Sequence, residues 1–152
     1  MKKFEFRLAR LERVREIEKD RAAVELADRE RSRKVAQSRR DEDRDELERV
    51  EDEMRLTTDE SVNVETLLEL DYYSQIARRV FHASSEALGQ AVVAEDGARV
   101  SLIEKAQSAK AVSLFRERKF EEYSKENSRL EQKDIDETAG NLYIRSRFDA
   151  TS

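Results

Sequence analysis

Thr57-Thr58-Asp59-Glu60-Ser61-Val62-Asn63 decides the fold, because it is the one stretch of this sequence in which helical patterning stops. Its short polar side chains compete for backbone hydrogen bonds, which favours a turn and then an N-cap, with Asn63 or Ser61 as the cap. On both sides, charge is interleaved with apolar residues at helical spacing, and the 152 residues contain no proline and only three glycines. One break in such a chain makes a two-helix hairpin. The expected fold is all-α: a long antiparallel two-helix coiled-coil hairpin with unequal arms, forming a single domain over residues 1–152. Helix one is expected over about 3–56, the turn over about 57–63, helix two over about 64–138, and a tail over 139–152.

Composition supports this economy of burial. A hydrophobic share of 38% against 43% charged residues is too lean for an ordinary globular core, whereas a coiled coil buries only a narrow seam. The 30 basic and 35 acidic residues leave a net charge of −5, so there is no global attraction for nucleic acid. The local run Arg29, Arg31, Arg33, Lys34, Arg39 and Arg40 is interleaved with or followed by Glu30, Asp41, Glu42 and Asp43, as on a solvated helix face. Cysteine is absent, which excludes disulfides and thiolate metal sites. No uninterrupted apolar run follows the N-terminus, so neither a secretory signal nor a membrane insertion is expected, and the default is a cytoplasmic protein.

The pattern sets out where the helices should meet. Phe4, Leu8, Leu11, Val14 and Ile17 step by three and four, so helix one is expected to start close to the N-terminus. The stripe thins through Ala22, Val24, Leu26, Val35 and Ala36 and returns at Leu47, Val50 and Met54. Gly89 and Gly97 weaken helix two without ending it, Asp96-Gly97 is the favoured place for a bend, and Gly140-Asn141 is the expected stop. Arms of about 80 and 110 Å follow from a rise of about 1.5 Å per residue. Folding back around Glu60 sets the partner of residue k near 120 − k. Phe4, Leu8 and Leu11 then lie beside Val112, Leu114 and Phe115, and the thin stretch lies beside the alanine-rich Ala83–Ala98. Helix two should overhang from roughly Lys119 to Glu137, a span of about 27 Å reserved for a partner or frayed alone.

Catalysis is disfavoured. His82 is the only histidine, three scattered glycines cannot cradle a phosphate, and exposed acid pairs lack the desolvation that would tune one of them, so no enzyme activity, metal or cofactor is expected. Two apolar stripes coexist early in helix two. Tyr73, Ile76, Val80, Ala83 and Ala87 form one; Leu70, Ala77, Phe81 and Leu88 form the other, about 100° further round. A single partner helix buries one of them, which leaves the second either as a docking surface, with Tyr72 beside it, or as the margin of a widened seam. Arg116, Arg118 and Lys119, with Phe120 and Tyr123 interleaved, come near Arg7, Arg10 and Arg13 in the proposed register. Such a tip suits insertion into an acidic or apolar ring, or is simply a solvated charged end.

Both termini carry a family resemblance. Phe4-Glu5-Phe6-Arg7-Leu8-Ala9-Arg10-Leu11, continuing through Val14-Arg15-Glu16 to Glu18, is similar to the N-terminal pattern of the flagellar export protein FliJ family. Arg116 to Glu137, above all Arg129-Leu130-Glu131-Gln132-Lys133-Asp134-Ile135-Asp136-Glu137, resembles its C-terminal pattern. The resemblance implies a coiled-coil stalk of the flagellar type III secretion apparatus, like the stalk subunit of rotary ATPases. It implies three kinds of partner: the hexameric export ATPase, the export-gate membrane protein and export chaperones. Carried over by position, the ATPase side comprises Phe4, Arg7, Leu8, Arg10 and Leu11 on helix one. On helix two it comprises Arg116, Lys119, Glu131, Gln132, Lys133 and Asp136. The gate side comprises Tyr72, Tyr73, Ile76, Val80 and Phe81. The tail residues Tyr143, Ile144 and Phe148 depart from a simpler charged ending and are expected either to add a contact or to be disordered.

The expected function is a non-enzymatic stalk that couples the export ATPase to the gate, peripheral to the inner membrane. The equivalent stalk of a virulence-type secretion system and a chaperone-like adaptor for secreted substrates are the alternatives. Monomer and weak homodimer both fit, since an overhanging helix can pair with its own copy.

Overall fold

The computed structural model describes residues 3–59 and 63–149, with side chains described over 3–57 and 63–145. It contains two helices, α1 (Ala9–Asp59) and α2 (Val64–Asp149), and among the described residues no strand, so the fold is the helical hairpin with unequal arms. Asn63 caps α2. Its Oδ1 accepts the Glu65 N–H at 3.2 Å and its carbonyl accepts the Leu67 N–H at 3.3 Å, which satisfies donors that a helix start leaves open. The alternative cap Ser61 and the expected centre Glu60 lie outside the described residues.

Two boundaries differ from the sequence reading. Helix one does not begin at residue 3; residues 3–6 are non-helical, residues 7–8 turn, and α1 starts at Ala9. In this lead-in Phe4 and Phe6 are half-buried while Glu5 and Arg7 are exposed, an alternation of period two that suits extended backbone. Helix two does not stop at 138 either. α2 runs through Gly140 to Asp149, and Gly140 does not take the positive φ that a left-handed C-cap needs. α2 is also continuous through Gly97.

The chain divides into two compact units: a hairpin unit, Glu18–Lys105, and a terminal unit, Met1–Ile17 with Ala106–Ser152. In the hairpin unit the protected residues of α2 step by three and four: Leu67, Leu70, Ser74, Ala77, Phe81, Ser84, Leu88 and Ala91, continuing to Glu95 and Ala98. The Leu70 stripe is therefore the seam, with Leu70 9% exposed against 58% for Tyr73. On α1 the matching residues are Ala22, Leu26, Arg33, Ala36, Arg40, Asp43, Leu47, Val50 and Met54. Val24 and Val35, expected to face the alanine-rich stretch, are instead exposed, because they fall off this heptad line.

A seam this small and polar needs its polar groups matched. The buried Ser74 and Ser84 hydroxyls donate to the carbonyls of Asp71 and Phe81, at 3.0 and 3.1 Å within their own helix. Buried Glu95 accepts from Arg33 Nε at 2.5 Å across the seam and from Arg99 Nη2 at 2.8 Å along α2. Arg78 donates to Glu51 at 2.8 Å, and Lys105 Nζ lies 3.9 Å from Glu18. Among the described residues, the buried atoms Arg40 Nε and Asp43 Oδ2 have no hydrogen-bond partner.

These pairs correct the register. Lys105, Glu95 and Arg78 stand about one to two and a half turns further along α2 than the rule 120 − k places the partners of Glu18, Arg33 and Glu51. Part of the shift has a simple cause: the gap between Asp59 and Val64 is centred beyond Glu60, which accounts for the pair at Lys105 and for about a third of the shift at Glu95 and Arg78. Moving the centre by one residue moves every pair by two.

Two outcomes are expected from urea unfolding followed by helical signal. Arg33→Met should lose roughly 1–3 kcal/mol by leaving Glu95 short of a partner, while Arg33→Met/Glu95→Met should recover most of it, since apolar side chains replace buried pairs at little cost. Gly97→Ala should gain roughly 0.5–1 kcal/mol, because an added Cβ meets nothing within 4 Å and its φ is not positive.

Candidate functional site: an aromatic, basic terminal unit and an exposed tyrosine stripe

In the terminal unit the lead-in lies across α2. The Phe4 ring meets Phe120 edge-on at 5.3 Å and Tyr123 at 5.4 Å, and Phe6 meets Phe115 at 6.2 Å. Each such ring pair contributes about 0.5–1.5 kcal/mol beyond its burial. Lys119 Nζ stands 5.7 Å from the Phe115 ring and is bound to Glu122 at 2.6 Å. Arg116 donates to Glu12 at 3.3 Å, tying the first turns of α1 to α2. The lead-in and α2 enclose an open groove of about 1190 Å³, whose apolar lining includes Phe4, Phe6, Leu8, Phe115, Tyr123 and Leu130.

The expected ATPase-side residues fall into three groups. Phe4, Arg116 and Lys119 join the ring-and-charge cluster just described. Arg7 and Arg10 are exposed with no carboxylate partner among the described residues, and Leu8 and Leu11 are 40% and 38% exposed. Glu131, Gln132, Lys133 and Asp136 lie on the α2 extension, all exposed, with Glu131 accepting from Asn127 and Asp136 from Gln132 at 2.8 Å each. Leu8, Leu11, Val14 and Ile17 do not make the inward stripe expected of them. They step by three each time, falling about 60° short of a full turn at each step, so they wind around the helix. The alternation Phe4-Glu5-Phe6-Arg7-Leu8 was the available signal for the extended lead-in.

In the hairpin unit, Tyr72 and Tyr73 are exposed with rings 6.2 Å apart, and Ile76 and Val80 continue the exposed stripe. Phe81, grouped with them on the gate side, is half-buried in the seam line because it falls on the Leu70–Ala77 heptad. Tyr73, Ile76 and Val80 border a groove of about 600 Å³ whose other wall carries Asp43, Glu46 and Glu53. Arg49 donates to Glu46 at 2.6 and 3.0 Å, and this hydrogen bond holds the exposed Glu46 carboxyl below its ordinary value. His82 is exposed, 3.9 Å from Glu86. Among the described residues no cluster could hold a metal, and no helix is long and apolar enough to cross a membrane.

Three comparisons place the chain. No curated protein matches it. The solved structure of a proposed YscO homolog from Chlamydia trachomatis is similar, with a TM-score of 0.60 at 18% identity over 95% of this chain and 98% of that one. At that identity the likeness speaks for the fold. The sequence pattern described as Flagellar FliJ protein matches residues 4–148, nearly the whole length. The chain belongs to the flagellar FliJ protein family, the coiled-coil component of type III protein export.

Proposed function

We propose that the chain is a non-enzymatic stalk that binds the hexameric export ATPase through its terminal unit and couples it to the export-gate membrane protein through the exposed tyrosine stripe. The carrying observation is the terminal unit itself. There the aromatic cluster around Phe4, Phe120 and Tyr123 fixes a surface on which Arg7, Arg10, Leu8 and Leu11 stand in solvent. Exposed aliphatic residues beside unpaired arginines suit a ring lined by apolar and acidic groups, and no reacting group is needed for such a contact.

The tyrosine stripe supports the second half. Tyr72, Tyr73, Ile76 and Val80 are among the side chains that the hairpin leaves exposed once the Leu70 line has filled the seam. Tyrosines presented together with branched aliphatic residues make good anchors for another protein. A peripheral position at the membrane follows from the gate as partner, and a cytoplasmic location from the ATPase. The span of the family match, residues 4–148, favours the flagellar stalk over its virulence-type equivalent.

Leu8→Glu/Leu11→Glu should abolish stimulation of the export ATPase while circular dichroism stays unchanged, because both side chains are already well exposed. Full stimulation by that variant would refute the ATPase contact. At the other surface, Tyr72→Ala/Ile76→Ala should weaken gate binding at least tenfold without lowering the unfolding midpoint. Phe81→Ala should do the reverse, costing roughly 1–3 kcal/mol of stability as a seam truncation.

A further inference from the structure

Two stripes of the terminal unit stay without a partner, and they match each other in chemistry. On α1, Arg10, Arg13, Val14 and Ile17 lie on the face turned away from the more protected Glu12 and Arg15. All four are exposed, and neither arginine has an ion-pair partner among the described residues. On α2, the line that carries Tyr123 against Phe4 runs on through Leu130, Asp134, Glu137 and Ile144 at helical spacing. These four are exposed as well, and Asp134 and Glu137 have no cation partner among the described residues.

One chain cannot join these stripes. Arg116, paired with Glu12, marks the part of α2 beside the first turns of α1, and Asp134 lies about 27 Å further along the same helix. No side chain spans that distance. We propose that the occupant of both stripes is a second copy of this chain. The α2 extension of one copy lies along the back of α1 in the other, and a two-fold axis repeats the contact, so each dimer holds two of them.

The spacing fits this arrangement. Asp134 and Glu137 stand three residues apart, as do Arg10 and Arg13, so helices running in the same direction bring both acids to both arginines. The directions agree, because α1 and α2 run antiparallel in the terminal unit and a two-fold axis across the helices reverses both, so α2 of one copy runs the same way as α1 of the other. Leu130 and Ile144 on one side, and Val14 and Ile17 on the other, supply the apolar part of the contact. Lys133 and Glu16 border the stripes with the opposite sign, which keeps the association weak, on the order of micromolar. The contact covers Arg10, so the dimer withholds part of the surface assigned above to the ATPase, although its existence does not depend on that assignment.

Sedimentation equilibrium of the full chain alone, without ATPase, tests the proposal. The chain should show a monomer–dimer equilibrium whose Kd rises at least tenfold between low and high salt, on the order of 50 and 500 mM. Arg10→Glu/Arg13→Glu should be monomeric, and so should Asp134→Lys/Glu137→Lys. Mixing the two variants should restore a dimer, because one contact then pairs reversed charges and the other is unaltered. A wild-type chain that stays monomeric at high concentration overturns the proposal and leaves the stripes to a different partner. So does a dimer that survives both reversals, or reversed variants that fail to associate when mixed while each keeps its helical content.

Discussion

Everything in the hairpin unit depends on a seam too small to hold itself together by apolar burial. Ala22, Ala36, Ala77, Ala91 and Ala98 remove little surface from water, and hydrophobic stabilisation scales with that surface at about 25 cal/mol per Å². Small residues do allow the helices to approach closely, which brings polar groups into the interface with them. Glu95 is the sharpest case. A carboxylate buried to that degree is unfavourable unless charge and hydrogen bonds meet it, and Arg33 from the facing helix does so. The same pair ties the two helices together at one register. Ser74 and Ser84 add no such constraint, because their hydroxyls close on their own helix.

The hairpin was legible because its signals are local. Asn63 could be read as a cap from its side chain alone, and the absence of proline leaves little to compete with helix on either side. The seam was only half legible. Two α2 stripes were visible, but choosing the Leu70 line over the Tyr73 line requires knowing what α1 presents, and α1 presents Arg33, Arg40 and Asp43 at seam positions. No search for apolar periodicity finds those residues. The register missed in part for an arithmetical reason, as a small error in the centre of the turn is doubled at every pair.

The terminal residues were misread for a different reason. Phe4, Phe6 and Leu8 satisfy a period of two, while Phe4, Leu8 and Leu11 satisfy a helical one, and the helical reading prevailed because the rest of the chain is helical. Aromatic partners on α2 decide the matter, since extended backbone sets both Phe4 and Phe6 against α2 and helix would turn one of them away. Gly140 illustrates the opposite lesson. A glycine is permitted to end a helix but does not oblige it to end, and here the helix continues.

The extended lead-in covers ground cheaply. At about 3.3 Å per residue, its few residues span as much of α2 as roughly twice their number would in a helix. Among the described residues, its carbonyls accept backbone hydrogen bonds at Phe6, from Ala9, and at Leu8, from Glu12, while Phe4 and Phe6 fasten it to α2 through their rings. A segment fastened by side chains and not by a ladder can be peeled away one ring at a time without unwinding either helix. Baring the aromatic floor beneath it would therefore cost the ring contacts of Phe4 and Phe6 and leave the helical frame whole.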